Sequence, residues 1–270
     1  MKQTLTALAL LAVAFCGAPA HAATILIDDF RDANHFPLPE SQQGWAIPLF
    51  TQANPFIMEH TQQIGTILGG ERDAQINVTT TPKGVSANGV IGDVDEEDPG
   101  IEGVFEFGSS ATAMVTAILE YDGVDPGEVA AGALTNALNL GAINFTAGGN
   151  NAFALVFRSV DPAPAKTGVA IRVEVTSAGG TATYDGMIPE SSSESTYQIP
   201  FAAFSSQAPL SAATSVRFIF NNGVGGPDPA VDFNLKNIAA VPEPATVATA
   251  CIGFVLAGAA AWRRRRKLAA

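Results

Sequence analysis

The chain has 270 residues, of which 14 are lysine or arginine and 26 are aspartate or glutamate, giving a formal net charge of −12. With 47% hydrophobic residues and two cysteines, it has enough apolar side chains for a buried core and too few thiols for a disulfide scaffold. The acid excess excludes a nucleic-acid partner, because phosphate binding needs clustered lysine and arginine.

The first 22 residues read as a secretory signal peptide. Lys2 supplies the charged start, residues 5–15 the apolar stretch, and Ala20-His21-Ala22 a small-x-small signal for cleavage between Ala22 and Ala23. Cys16 does not mark a lipoprotein, since Phe15 stands where a lipobox takes a small residue. The other cysteine, Cys251, lies near the C-terminus, so residues 23–240 must fold without disulfides. That region carries eight cations against 25 acids, a net charge of −17. Such a surface favours solubility, calcium capture or contact with neutral or cationic partners.

Within residues 23–240 the pattern is all-β. Stretches rich in Val, Ile, Phe and Thr recur between Gly, Asp, Asn and Pro clusters, and predict strands at 24–27, 75–80, 103–107, 113–121, 142–146, 152–160, 169–176, 181–188, 196–201, 215–221 and 231–238. Ile171, Val173 and Val175 alternate with Arg172, Glu174 and Thr176, as a sheet with one buried and one wetted face requires. Residues 126–140 could form a short helix, weakened by Gly132 and Gly141. Residues 35–63, with Pro37, Pro39, Pro48 and Pro55, read as a long crossing loop pinned by Trp45 and Phe50. About 220 residues without a linker or repeat predict one domain.

Four segments carry a family resemblance. Ile27-Asp28-Asp29-Phe30 opens the domain, Gly69-Gly70-Glu71-Arg72-Asp73 precedes a strand, Leu119-Glu120-Tyr121-Asp122-Gly123 ends one, and Asp232 to Ile238 forms the last. In this order they resemble a galactose-binding-like or carbohydrate-binding-module jelly roll. The resemblance implies a single β-sandwich over residues 23–240.

Calcium is the cofactor to consider, since it takes six to eight oxygen ligands. Asp93, Asp95 and Asp98, with Glu96 and Glu97, form the densest carboxylate cluster, though not at EF-hand spacing. Asp122, Asp125 and Glu128 form a second. Asp28, Asp29 and Asp232 form a third if the first and last strands meet. Sugar binding would use amphipathic rings, of which Trp45 and Tyr121 are the leading candidates, followed by Tyr184 and Tyr197. No catalytic residue is assigned. His35 and His60 are the only histidines between residues 23 and 240, and neither a Gly-x-Ser-x-Gly elbow nor a zinc-type histidine pair occurs. A secreted glycoside hydrolase remains an alternative, because any two of 25 acids could flank a cleft. A calcium-dependent carbohydrate-binding module is another.

At the C-terminus, Pro242-Glu243-Pro244 is followed by an uncharged run over residues 245–262 and then by Arg263, Arg264, Arg265, Arg266 and Lys267. Eighteen uncharged residues can just span a bilayer, with the cations left in the cytoplasm. The two prolines forbid helix on the outer side and keep that segment extended. The order of Pro-Glu-Pro, apolar helix and arginine cluster over residues 241–270 resembles the PEP-CTERM sorting signal of Gram-negative bacteria. The resemblance implies a membrane-anchored precursor read by an exosortase-type membrane peptidase, then a protein at the cell surface or in the extracellular matrix with exopolysaccharide. The sequence therefore predicts an exported, non-enzymatic, structural or adhesive protein.

Overall fold

A computed structural model describes residues 24–31, 56–61, 66–80, 87–92, 103–109, 111–124, 134, 139–223 and 225–242. Their regular structure is β, in two antiparallel six-stranded sheets. The strands are β1 (Ile25–Asp28), β2 (Phe56–Thr61), β3 (Glu71–Thr80), β4 (Ala87–Gly92), β5 (Val104–Ser109), β6 (Met114–Tyr121), β7 (Ala152–Asp161), β8 (Gly168–Ser177), β9 (Gly180–Pro189), β10 (Ser195–Pro200), β11 (Ser215–Phe220) and β12 (Asp232–Val241). The first sheet runs β10-β7-β12-β5-β4, with β1 added to β12, and the second runs β2-β3-β6-β11-β8-β9.

Alternation sets which faces meet. In β8, Ile171, Val173 and Val175 are buried while Arg172, Glu174 and Thr176 are half-exposed, and in β11 Val216, Phe218 and Phe220 point the same way. The facing strands answer with Phe105, Phe153, Phe157, Phe233 and Leu235, all buried. Rings cross between the sheets: Phe153 meets Phe218 edge-on at 5.8 Å, and Phe220 meets Phe233 at 4.9 Å. Such pairs add about 1 kcal/mol each beyond the area they bury. The expected β-sandwich is thus present, with its core between the two sheets.

Some expectations are corrected. Residues 56–61, placed in a crossing loop, form β2 and pair with β3 from Phe56↔Ile76 to Thr61↔Glu71. Residues 87–92 form β4, which the pattern did not single out. Residues 142–146 make one bridge, Ile143↔Ala213, and then a turn, because Asn144 accepts hydrogen bonds from the backbone and hydroxyl of Thr146. Most of the 126–140 segment, with Trp45 and Phe50, lies outside the described residues. Among the described residues no helix is long and apolar enough to cross a membrane; residues 1–22 and 245–262 lie outside them.

The first and last strands meet, as expected. β1 runs antiparallel to the end of β12, with Ile25 opposite Ala240 and Leu26 opposite Ala239. On its other side β12 pairs with β7, from Asp232↔Asp161 to Val241↔Ala152. The last strand is therefore central to its sheet, and both chain ends leave from the same end of it.

Candidate functional site

Asp28 and Tyr121, two residues expected to bind ligands, are instead joined to Arg72 inside the fold. All three are 0% exposed. The Arg72 guanidinium donates to both Asp28 oxygens, at 2.9 and 2.7 Å, the Tyr121 hydroxyl donates at 2.8 Å, and the Phe30 N–H donates at 2.8 Å across a short Asx turn. Phe30 then turns under the guanidinium, 5.4 Å from its ring centre. Burial raises the Asp28 pKa, opposed by the charge and hydrogen bonds of Arg72. Burial first, and then the Asp28 charge, raise the Tyr121 hydroxyl.

This network withdraws both residues from the roles assigned to them. The Tyr121 ring, edge-on to Phe218 at 6.3 Å, packs in the core and offers no face to a sugar. Asp28 cannot share an ion with Asp232. Its register partner on β12 is Ile238, six residues from Asp232, which is roughly 20 Å along a strand. An ion pair and a β-ladder stitch the ends of the domain together. Sequence reasoning missed the role of Arg72, because it set residues 69–73 ahead of a strand at 75–80, whereas β3 begins at Glu71.

Asp232 belongs to a second arrangement, on the outer face of the first sheet. A shallow groove of about 190 Å³ is lined by Glu106, Phe107, Gly108, Asp232, Phe233 and Asn234. That is below the 300 Å³ or more typical of an enclosing small-molecule pocket, so the groove suits surface contact with one unit of a larger ligand. Register builds it: Asn234 lies between Glu106 on β5 and Ser159 on β7, and Asp232 lies between Gly108 and Asp161. Asn234 donates to the Ser159 hydroxyl at 3.1 Å. A ladder irregularity sets Ser159 opposite Asn234 and Phe157 opposite Leu235, with Arg158 bulged between them. Its positive charge acts on Glu106.

The electrostatics follow from that crowding. Partial burial raises the Glu106 pKa, offset by Arg158. Partial burial and the facing Asp161 carboxylate raise that of Asp232. The groove thus presents carboxylate acceptors, the Asn234 amide and a nearby guanidinium, a set able to hydrogen-bond the hydroxyls of a polyol. Sequence reasoning missed Glu106, Arg158, Asp161 and Asn234. Glu106 was legible as the single acid between Phe105 and Phe107, but its neighbours come from register alone.

Other candidates fall elsewhere. Tyr184 and Tyr197 join hydroxyls at 2.7 Å across the open edge between β9 and β10, and Tyr184 packs on Phe204. They close that edge. Asp122 is buried at 1% exposure. Asp93, Asp95, Asp98 and Trp45 lie outside the described residues. Among the described residues no three His, Cys, Asp or Glu side chains are grouped as a metal site.

The fold and tail together define the class, a β-sandwich domain that runs directly into a C-terminal sorting signal. Residues 240–266 match the PEP-CTERM protein-sorting motif. The motif marks an exported, membrane-anchored precursor sorted to the cell surface, and it implies processing by an exosortase. No curated protein matches the chain. Among solved structures, the family 11 carbohydrate-binding module from Clostridium thermocellum in complex with a β-1,3-1,4-mixed-linked tetrasaccharide is similar at 12% identity and a TM-score of 0.36, covering 81% of this chain and 95% of that one. TmCBM61 in complex with β-1,4-galactotriose follows at 9% identity and 0.30, covering 61% and 85%. An agarase matches at 11% identity and 0.36, covering 62% of this chain and 24% of that one. A likeness of this depth says nothing about ligands.

Proposed function

We propose that the protein is a non-catalytic structural or adhesive component of the cell surface or extracellular matrix, delivered through its PEP-CTERM tail and associated there with exopolysaccharide. The match of residues 240–266 to the sorting motif carries this reading. The signal peptide with cleavage between Ala22 and Ala23, the bilayer-spanning helix at 245–262, and release by an exosortase-type peptidase belong to it. The groove around Asp232 and Glu106 supplies the contact with sugar hydroxyls. An extended polysaccharide compensates for a shallow site by engaging many copies of it.

The test is affinity electrophoresis of the domain through gels cast with the producing strain's exopolysaccharide. Retardation that falls when Asp232→Asn and Glu106→Gln are combined supports the reading. Unretarded migration of the unaltered domain contradicts it. A second reading rests on the facing Asp161 and Asp232 carboxylates, which a calcium ion would relieve of their repulsion. Retardation that requires calcium would favour it.

A further inference from the structure

Two irregularities in one β-ladder fall side by side on the outer face of the first sheet. Arg158 bulges from β7 between the pairs Asn234↔Ser159 and Leu235↔Phe157, and Lys236 bulges from β12 between Leu235↔Phe157 and Asn237↔Val156. Each bulged residue turns outward with a neighbour. Arg158 and Ser159 stand clear of the core between buried Phe157 and Val160, as do Lys236 and Asn237 between buried Leu235 and Ile238. A bulge re-aims a side chain, and the two re-aimed here are both cations, of which residues 23–240 hold only eight.

Each cation acts on an acid beyond the neighbouring strand. Lys236 reaches over β7 to Glu194, the residue before β10, and its Nζ donates to Oε2 at 2.6 Å. The charge of Arg158 acts on Glu106, which lies on β5 beyond β12. Between the two ion pairs the Asn234 amide donates to the Ser159 hydroxyl. These six side chains form one polar belt across β5, β12, β7 and β10, three strand spacings or about 14 Å long. The groove at Glu106 and Asn234 is one end of it, and Asp161 and Asp232 lie at its margin, two residues farther along their strands.

We infer that this belt is an extended binding face for an uncharged polysaccharide lying across the strands, with Arg158, Ser159, Lys236 and Glu194 as binding residues beyond the groove. The inference deepens the exopolysaccharide reading and rests on it. Two acids and two cations cancel along the belt, in a domain whose net charge over residues 23–240 is −17. A carboxylate or ammonium on the ligand would have to take one partner from an ion pair and strand the other. A sugar hydroxyl leaves the pair intact, because it donates to the carboxylate and accepts from the cation at once. Acidic polymers are also repelled by the rest of the domain. A chain that covers the whole belt gathers hydrogen bonds over four strands, which a single ring in the groove does not.

The test is affinity electrophoresis of the protein as purified from cells. Gels are cast with the neutral, acidic or basic fraction of the producing strain's exopolysaccharide, separated by ion exchange, and each is read against a gel without polymer. The unaltered protein should be retarded by the neutral fraction. Glu194→Gln combined with Lys236→Gln keeps the net charge and the groove lining, and should weaken the apparent affinity roughly tenfold through lost hydrogen bonds to charged groups. Arg172→Gln with Asp185→Asn, an exposed ion pair on the other sheet, is the control and should change nothing. Unchanged affinity in the Glu194–Lys236 variant, or an equal loss in the control, overturns the belt, and the groove reading then stands if Asp232→Asn with Glu106→Gln still weakens binding. Retardation by the acidic or basic fraction alone overturns the uncharged class. No retardation in any fraction contradicts the groove reading itself, and the inference with it.

Discussion

Arg72 and Asp28 meet at 2.7 Å with neither side chain touching solvent, which fixes the start of the domain to the first residues of β3 in its second sheet. The contact spans 44 residues of chain, and Tyr121 extends it to β6, 93 residues from Asp28. Two charges out of water are tolerable only as a pair with their remaining bonds made.

Removing one member should therefore cost far more than removing both. Arg72→Met alone, or Asp28→Leu alone, is expected to destabilise the domain by about 3–5 kcal/mol, and the double variant by much less than the sum. The exposed pair Arg172–Asp185 is the control, with Asp185→Ala costing about 1 kcal/mol or less. Urea unfolding of the three variants and the double variant gives the coupling directly.

Gly103→Ala should disrupt the same corner from outside the ion pair. A methyl group there would lie 1.7 Å from the Phe30 carbonyl oxygen, so the backbone must move. Phe30 already holds a φ of 53°, a conformation uncommon for a side chain of its size. A loss on the order of 3 kcal/mol is expected, measured as a lowered urea midpoint at unchanged m-value.

The groove carboxyls predict a pH dependence. Asp232 and Glu106 titrate above their ordinary values near 4, so between those values and the raised ones the folded state holds protons that the unfolded chain has released. Their contribution is complete below about pH 4 and is lost as pH rises through the raised values. Asp232→Asn should consequently raise Tm at pH 7 and leave it almost unchanged near pH 4. The effect should shrink in salt, because the site is only partly buried. Differential scanning calorimetry at two pH values and two ionic strengths reads it.

The strands with strict alternation were legible in the sequence. β8 shows buried and half-exposed residues in the order that Ile171 to Thr176 announce, whereas β11 alternates less strictly, with Ile219 buried on the face opposite Val216, Phe218 and Phe220. β2 was not legible, because the prolines upstream gave residues 35–63 the character of a loop while its pairing with β3 is long-range. Asp28 and Asp232 were both recognisable as acids on terminal strands, but neither roles nor distance could be read. A strand period says which face a residue occupies, not its height along the sheet. The ion pair and the groove both depend on height.

Sorting through the tail is the central claim, and the mass of the mature protein tests it most directly. Intact mass spectrometry of the protein from cells with an active exosortase should show a chain that starts at Ala23 and has lost the apolar run and arginine cluster after the Pro-Glu-Pro segment, with both retained when the peptidase is deleted. A chain that still ends at Ala270 in cells with the active peptidase would contradict the account.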